Sequence, residues 1–92
     1  MYIVTLMEIN SLIKILKEKL TKKIKINNIK IEDKSFLHKK HQNFDKDKFH
    51  IKLTIESSEL RKISSIEANR KIYDVLKDEM NRSIHSLQII IV

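Results

Sequence analysis

Ninety-two residues, 41% hydrophobic and 34% charged, make one small globular domain spanning 1–92 and leave no room for a second. The chain has no cysteine, which excludes a disulfide framework, a thiolate zinc site and a cysteine nucleophile. It has no glycine either, which removes the phosphate-cradling loop, the dinucleotide fingerprint and the serine nucleophile elbow, while a net charge of +7 favours an acidic partner, nucleic acid or protein, over neutral ones.

Residues 1–7, MYIVTLM, read as an N-terminal extension. They are too short for a membrane span and lack the basic start and small-residue cleavage site of a secretory signal. The expectation is a soluble intracellular protein, cytoplasmic or mitochondrial, with no membrane partner. Thr5 and Glu8 have capping-box spacing. Ile9, Leu12, Ile13, Leu16 and Leu20 then recur on one face of a 3.6-residue period, with Lys19, Lys22 and Lys23 placed to complement the helix dipole.

Asn27-Asn28 signals a turn, and Ile29-Lys30-Ile31 alternates as a short strand. Without glycine, positive-φ turns fall to Asn or Asp, with Asn27, Asn28, Asn43 and Asn81 well placed. Residues 34–49 carry no period and many charges, the mark of a long functional loop. His50 to Ser57 reads as a second strand, with Ile51, Leu53 and Ile55 on one face and His50, Lys52 and Thr54 on the other. Residues 58–63 form a connector with one helical turn.

Ser64 and Glu67 repeat the capping-box spacing. The following helix is predicted to run to about Asn81, burying Ile66, Ile72, Tyr73, Leu76 and Met80, with Asn81 as a left-handed terminator. The closing IHSLQIIIV reads as a third strand, buried on both faces and parallel to the second across a helical crossover. The fold class is α+β, in the order αββαβ, with a three-stranded mixed sheet covered on one face by helices.

Three of the four histidines lie between Glu32 and His50; the fourth is His85. The order and spacing of several short stretches resemble the BolA-like protein family from Glu8 onward. EDKSFLH is similar to that family's E-D-x-S-x-x-H after the first strand. His50-Ile51-Lys52-Leu53 stands where the family has His-Phe-Lys/Arg-Val. Ser57 and Leu60 occupy its Ser and Phe positions. Arg70, Ile72 and Tyr73 fit the end of its R-H-R-x-x-Y segment, and EMNRSIHSLQI resembles E-L-x-x-x-I-H-A-L-x-I. The departures are Ala68-Asn69 for the family's Arg-His, Lys62 for its connector glycine, and a longer loop.

The resemblance implies a class II KH-like fold and a role in iron–sulfur cluster assembly or trafficking. It implies a partner, a monothiol glutaredoxin with a CGFS motif, and a two-iron two-sulfur cluster shared with it, glutathione coming from the partner's side. The implied metal ligands are His85 and a loop histidine, His38 or His41. The protein is then expected to be a monomer alone and a heterodimer with its partner. Asp33 and Ser35 would shape the loop, and Arg70 and Lys71 would contribute to the partner surface. Chemistry agrees: iron accepts imidazole in place of thiolate, and two donors cannot close a four-coordinate site. His85 has a plainer alternative as a half-buried, hydrogen-bonded strand residue, and His38 as an exposed loop residue; for His41 and His50 the plainer role is favoured.

The alternative function is a nucleic-acid-binding transcriptional regulator, suggested by charge and KH-like topology. Asn69, Arg70, Lys71, Lys77 and Arg82 would contact phosphate, without the G-x-x-G clamp of KH domains. An enzyme is disfavoured. Carboxylate–imidazole pairs such as Asp33 with His38 or Glu79 with His85 lack a nucleophile, nucleotide loop or complete metal set.

Overall fold

The computed structural model describes residues 8–35 and 48–92. In chain order these form α1 (Ile9–Lys23), β1 (Asn28–Asp33), β2 (Phe49–Glu56), α2 (Ser58–Arg61), α3 (Ser65–Val75), α4 (Lys77–Arg82) and β3 (Ile84–Ile91).

Helix α1 forms because Leu12, Leu16 and Leu20, spaced by one turn, are all fully buried. Its N-cap is Glu8, whose Oε1 accepts from the Asn10 amide at 3.2 Å. This displaces the expected box, in which Glu8 would sit inside the helix; Thr5 lies outside the described residues. Lys22 and Lys23 occupy the last turn, and Ile24, extended and buried, ends the helix.

The sheet has the order β1-β2-β3, with β1 antiparallel and β3 parallel to β2. Central β2 alternates as the sequence requires: Ile51, Leu53 and Ile55 are in the core with α1, Leu60, Ala68, Ile72, Leu76 and Ile84. The parallel pairing of β3 is as expected, but its burial on both faces is not: it is an edge strand, and Leu87, Ile89, Ile90 and Ile91 are only half-buried. Its uninterrupted apolar run reflects one covered face and one neighbour, not burial on both faces.

Ser57, fully buried, ties three segments together. Its Oγ accepts from the Leu60 amide at 3.2 Å, capping α2, and donates to the Lys25 carbonyl at 2.7 Å. Removing that hydroxyl leaves a helix start and a carbonyl without their partner. Ser57→Ala should therefore cost about 1–2 kcal/mol, in the upper range of cap deletions. Thermal unfolding reads this directly, at roughly 4–8 °C per kcal/mol for a domain of this size.

The capping box of α3 is present: Ser64 Oγ accepts from the Glu67 amide at 3.1 Å, and Glu67 Oε1 accepts from the Ser64 amide at 3.4 Å. The helix does not run unbroken to Asn81. It stops at Leu76, whose φ of −99° and ψ of 18° start α4 on a new axis. Ala68, Ile72 and Leu76 form the buried stripe; Ile66 is 70% exposed and Tyr73 40% exposed. Both were expected in the core, but at about 100° per residue they fall on the flank of the helix, roughly a third of a turn from that stripe. Tyr73 instead donates its hydroxyl to the Leu87 carbonyl of β3 at 3.3 Å. Met80, also expected to be buried, is half-buried and packs against the core, and Glu79 beside it is buried, where Lys19 of α1 pairs with it at 2.7 Å.

Asn81 lies inside α4, and no described residue has positive φ. The left-handed role assigned to Asn27, Asn28 and Asn81 is thus not taken up; Asn43 lies outside the described residues. The turn before β1 is closed in extended geometry by the Asn27 amide donating to Glu56 O at 2.8 Å. A chain without glycine folds here by avoiding turns that need it.

Candidate site at the open end of the sheet

Antiparallel pairing sets Asp33 opposite Ile51, and parallel pairing sets His50 opposite Ser86. The end of β1, the start of β2 and the start of β3 therefore meet at one end of the sheet. The loop 34–48 leaves and returns there. His85 lies at that end and is exposed. His38 and His41 lie outside the described residues. Chain geometry still limits His38, which is three residues from Ser35 and so within about 11 Å of it along the backbone.

The start of the loop is fixed by hydrogen bonds. The Ser35 amide donates to Asp33 Oδ1 at 2.9 Å, and the His50 amide donates to Ser35 Oγ at 3.1 Å. The Lys34 amide donates to the His50 carbonyl at 2.7 Å. Ser35 and His50 are both buried. The His50 ring turns toward β3, its Nδ1 lying 2.6 Å from Ser86 Oγ, and its centroid is 4.8 Å from that of His85 at an interplanar angle of 55°.

This ring contact depends on a register shift. Phe49 pairs with Ile84, but His50 pairs with Ser86, so β3 carries one extra residue, His85, between the two pairs. A bulge of this kind re-aims a side chain that strict alternation would place elsewhere. The sequence favours a hydrogen-bonding role for His50 near the loop over metal binding, and the structure shows those hydrogen bonds; the bulge and the contact between the two rings leave no mark in the pattern.

The surroundings are basic. Lys34 pairs with Glu32 at 3.2 Å. Its hydrogen bond holds the Glu32 carboxyl below the usual carboxylate range against the opposing effect of desolvation, helped by the charges of Lys30, Lys34 and Lys52.

The other expected contact residues lie on α3 and α4. Arg70 and Lys71 line a shallow depression of about 340 Å³ with Ile63, Glu67 and Asp74. Asn69 is half-buried beside them, and Lys77 and Arg82 are exposed at the two ends of α4. A second groove, about 370 Å³, is lined by Lys19, Lys22, Lys23, Asp74 and Val75. The sequence suggested only a dipole role for those lysines; their groove arises from α1 packing beside α3. Of the two carboxylate–imidazole pairs weighed and disfavoured as catalytic, Glu79 is paired with Lys19; Asp33 accepts from the Ser35 amide, and its pairing with His38 lies outside the described residues.

Lys71 is engaged by Glu59 at 2.7 Å, and Glu59 also accepts from the Lys25 amide at 3.0 Å. Those two hydrogen bonds, Lys71's first, hold the Glu59 carboxyl below its ordinary 4.5. A lowered folded value contributes stability above the unfolded value and loses it as pH falls through the folded one. In Lys71→Ala, the Glu59 side-chain carboxyl signal should titrate at higher pH by NMR. The stability difference from the parent should be present at neutral pH and fade in acid.

Among the described residues, no group of three or more His, Cys, Asp or Glu side chains is arranged to hold a metal ion. Nor is any helix among them long and apolar enough to cross a membrane.

The model of the BolA-like protein family matches residues 20–92. A curated relative, the DNA-binding transcriptional regulator BolA of Haemophilus influenzae, is 32% identical over 77 residues, covering 84% of this chain and 72% of the relative. Among solved structures, the BolA domain of SufE1 from Arabidopsis thaliana superposes with a TM-score of 0.72 at 32% identity, over 85% of this chain and 86% of that one. BolA1 from the same plant gives 0.71 at 26% identity, over the same shares. A bol-like protein from Babesia bovis shares the fold, with a TM-score of 0.67 at 16% identity over 86% of this chain and 80% of that one.

Proposed function

Because this chain belongs to the BolA-like protein family, we propose that it is a non-enzymatic adaptor that shares a two-iron two-sulfur cluster with a monothiol glutaredoxin. The observation that carries the proposal is the meeting of His85 with both anchors of the histidine-bearing loop at one end of the sheet. His85 is exposed there, as a ligand offered to another protein must be.

The donor set fits such a cluster. Iron in these clusters tolerates imidazole in place of thiolate, which raises the reduction potential. His85 would serve as one ligand and His38 or His41 as the second. Two nitrogen donors leave the coordination of two irons unfinished, so the remaining donors must come from a partner. In the resemblance these are the glutaredoxin cysteine and glutathione. The lysines at this end, Lys34 and Lys52, suit an anionic assembly of that kind. What this chain contributes is binding and orientation: it presents imidazole, anchors its loop through Ser35 and shelters the site with the sheet end.

The test is titration of a cluster-loaded CGFS glutaredoxin with the protein, followed by visible absorption and circular dichroism. The expected result is a new spectrum saturating at one to one, with both proteins co-eluting. A spectrum identical to that of the glutaredoxin alone at every ratio would overturn the proposal.

A second reading draws on the curated relative, whose name describes a DNA-binding transcriptional regulator, and on the net charge of +7. Arg70, Lys77 and Arg82, with the lysine groove of α1, would contact phosphate. Such binding would weaken steeply with salt. The absence of a mobility shift with duplex DNA at about 50 mM salt, a concentration at which phosphate contacts still bind tightly, would remove it.

A further inference from the structure

We propose that His50 is a positioning residue for His85, holding that imidazole in one orientation and tying it to the start of the loop. The importance of that orientation for ligation rests on the shared-cluster reading; the orientation itself can be tested in the protein alone.

The need for such a residue follows from the register. As the extra residue of the bulge, His85 has no partner on β2, so the ladder does not dictate where its side chain goes. It is also exposed, and an exposed imidazole on a strand ordinarily samples more than one staggered rotamer. Something beside it must select one.

His50 is built for that task. It is 7% exposed, and it is held at three points. Its amide donates to Ser35 Oγ at 3.1 Å, its carbonyl accepts from the Lys34 amide at 2.7 Å, and its Nδ1 lies 2.6 Å from Ser86 Oγ. The ring is therefore a fixed surface. His85 lies against it at 4.8 Å between centroids with a 55° tilt, within the range that aromatic rings favour.

The same contacts connect two parts of the site. The amide of His50 holds Ser35, three residues before His38, while its ring backs His85. One residue thus sets both the starting point of the loop and the direction of the strand imidazole. With Nδ1 engaged by Ser86 and the ring buried, His50 is placed to support a ligand. Groups that orient a metal-bound imidazole generally alter affinity by about 10–100-fold when removed.

The experiment uses the full chain without cluster, labelled for NMR, and reads the χ1 couplings and ring shifts of His85. Wild type should show one dominant rotamer. His50→Ala should average the couplings, and Ser86→Ala, which removes one of the contacts that hold the His50 ring, should do so partially. His50→Phe keeps a ring at the contact but loses the bond to Ser86, so it should resemble Ser86→Ala, with couplings only partly averaged. The cluster-bridged complex with glutaredoxin should weaken about 10–100-fold in His50→Ala and much less in His50→Phe. Should His50→Ala not fold, as judged by circular dichroism, Ser86→Ala and His50→Phe decide the matter. Unchanged His85 couplings in Ser86→Ala and in a folded His50→Ala, or fully averaged couplings in His50→Phe, would overturn the proposal. If the couplings respond but wild type never shares a cluster, the adaptor reading fails and the positioning role stands. If wild type shares a cluster and the couplings do not respond, the reverse holds.

Discussion

Replacing His85 with alanine should abolish the new spectrum formed with cluster-loaded glutaredoxin while leaving the fold intact. The two halves of this expectation have separate causes. His85 is exposed and sits at a bulge, so truncation removes little packing, and surface changes of this kind usually stay within about 0.5 kcal/mol. Thermal unfolding should accordingly be almost unchanged. Ligation is another matter. With at most two donors from this chain, losing one leaves a single loop histidine, too little to hold a shared site in place. The variant His85→Cys sharpens the point. A thiolate in the same position should restore a bridged complex, with a reduction potential lower than that of the parent, because imidazole ligation raises it. A normal spectrum from the alanine variant would exclude His85 as a ligand whatever the glutaredoxin does.

The largest effect on stability is expected from Leu53→Ala. Leu53 is 0% exposed at the middle of the central strand. Truncating a buried leucine costs about 2–5 kcal/mol, combining lost transfer energy with the cavity left behind. A domain of this size has little reserve beyond that, since total stabilities run about 5–15 kcal/mol and small cores fall toward the low end. At roughly 4–8 °C per kcal/mol, the melting midpoint should fall by at least about 8 °C. Ile66→Ala is the matched control. Ile66 was predicted to be buried, but at 70% exposure its truncation should change stability by no more than about 0.5 kcal/mol. A small effect at Leu53, or a large one at Ile66, would mean that the helix and sheet face each other differently.

Those two residues also show what could be read from sequence. The alternation at Ile51, Leu53 and Ile55 and the leucine stripe of α1 were legible because local periodicity alone sets which side is apolar. The Ser64–Glu67 box was legible for the same reason: its partners are three residues apart. The exposure of Ile66 and Tyr73 was not legible, because the buried stripe of α3 is narrower than the helix's apolar composition suggests. Ala68, a small residue that hydropathy weights lightly, instead marks the buried side. The break at Leu76 is marked by no glycine, proline or capping signal within the helix, so nothing local announces it.

The site divides along the same line. That His85 and the loop share one end of the sheet followed from strand order. That His85 faces His50 did not, because it turns on a one-residue shift in register. Such a shift costs nothing in pattern and reverses which side chains meet. The extra isoleucines of β3 pointed to a doubly buried strand, whereas the topology leaves that strand at the rim.

The parallel pairing of β3 with β2 has a consequence for timing. Ser86 closes its contact with a residue 36 positions earlier, and no nearer segment supplies a substitute. While the polypeptide is still leaving the ribosome, everything up to α4 can emerge without the imidazole that completes the pair. On the shared-cluster proposal, a nascent chain would carry its loop histidines before the strand imidazole that is to join them, and would accept a cluster poorly until β3 has emerged and paired.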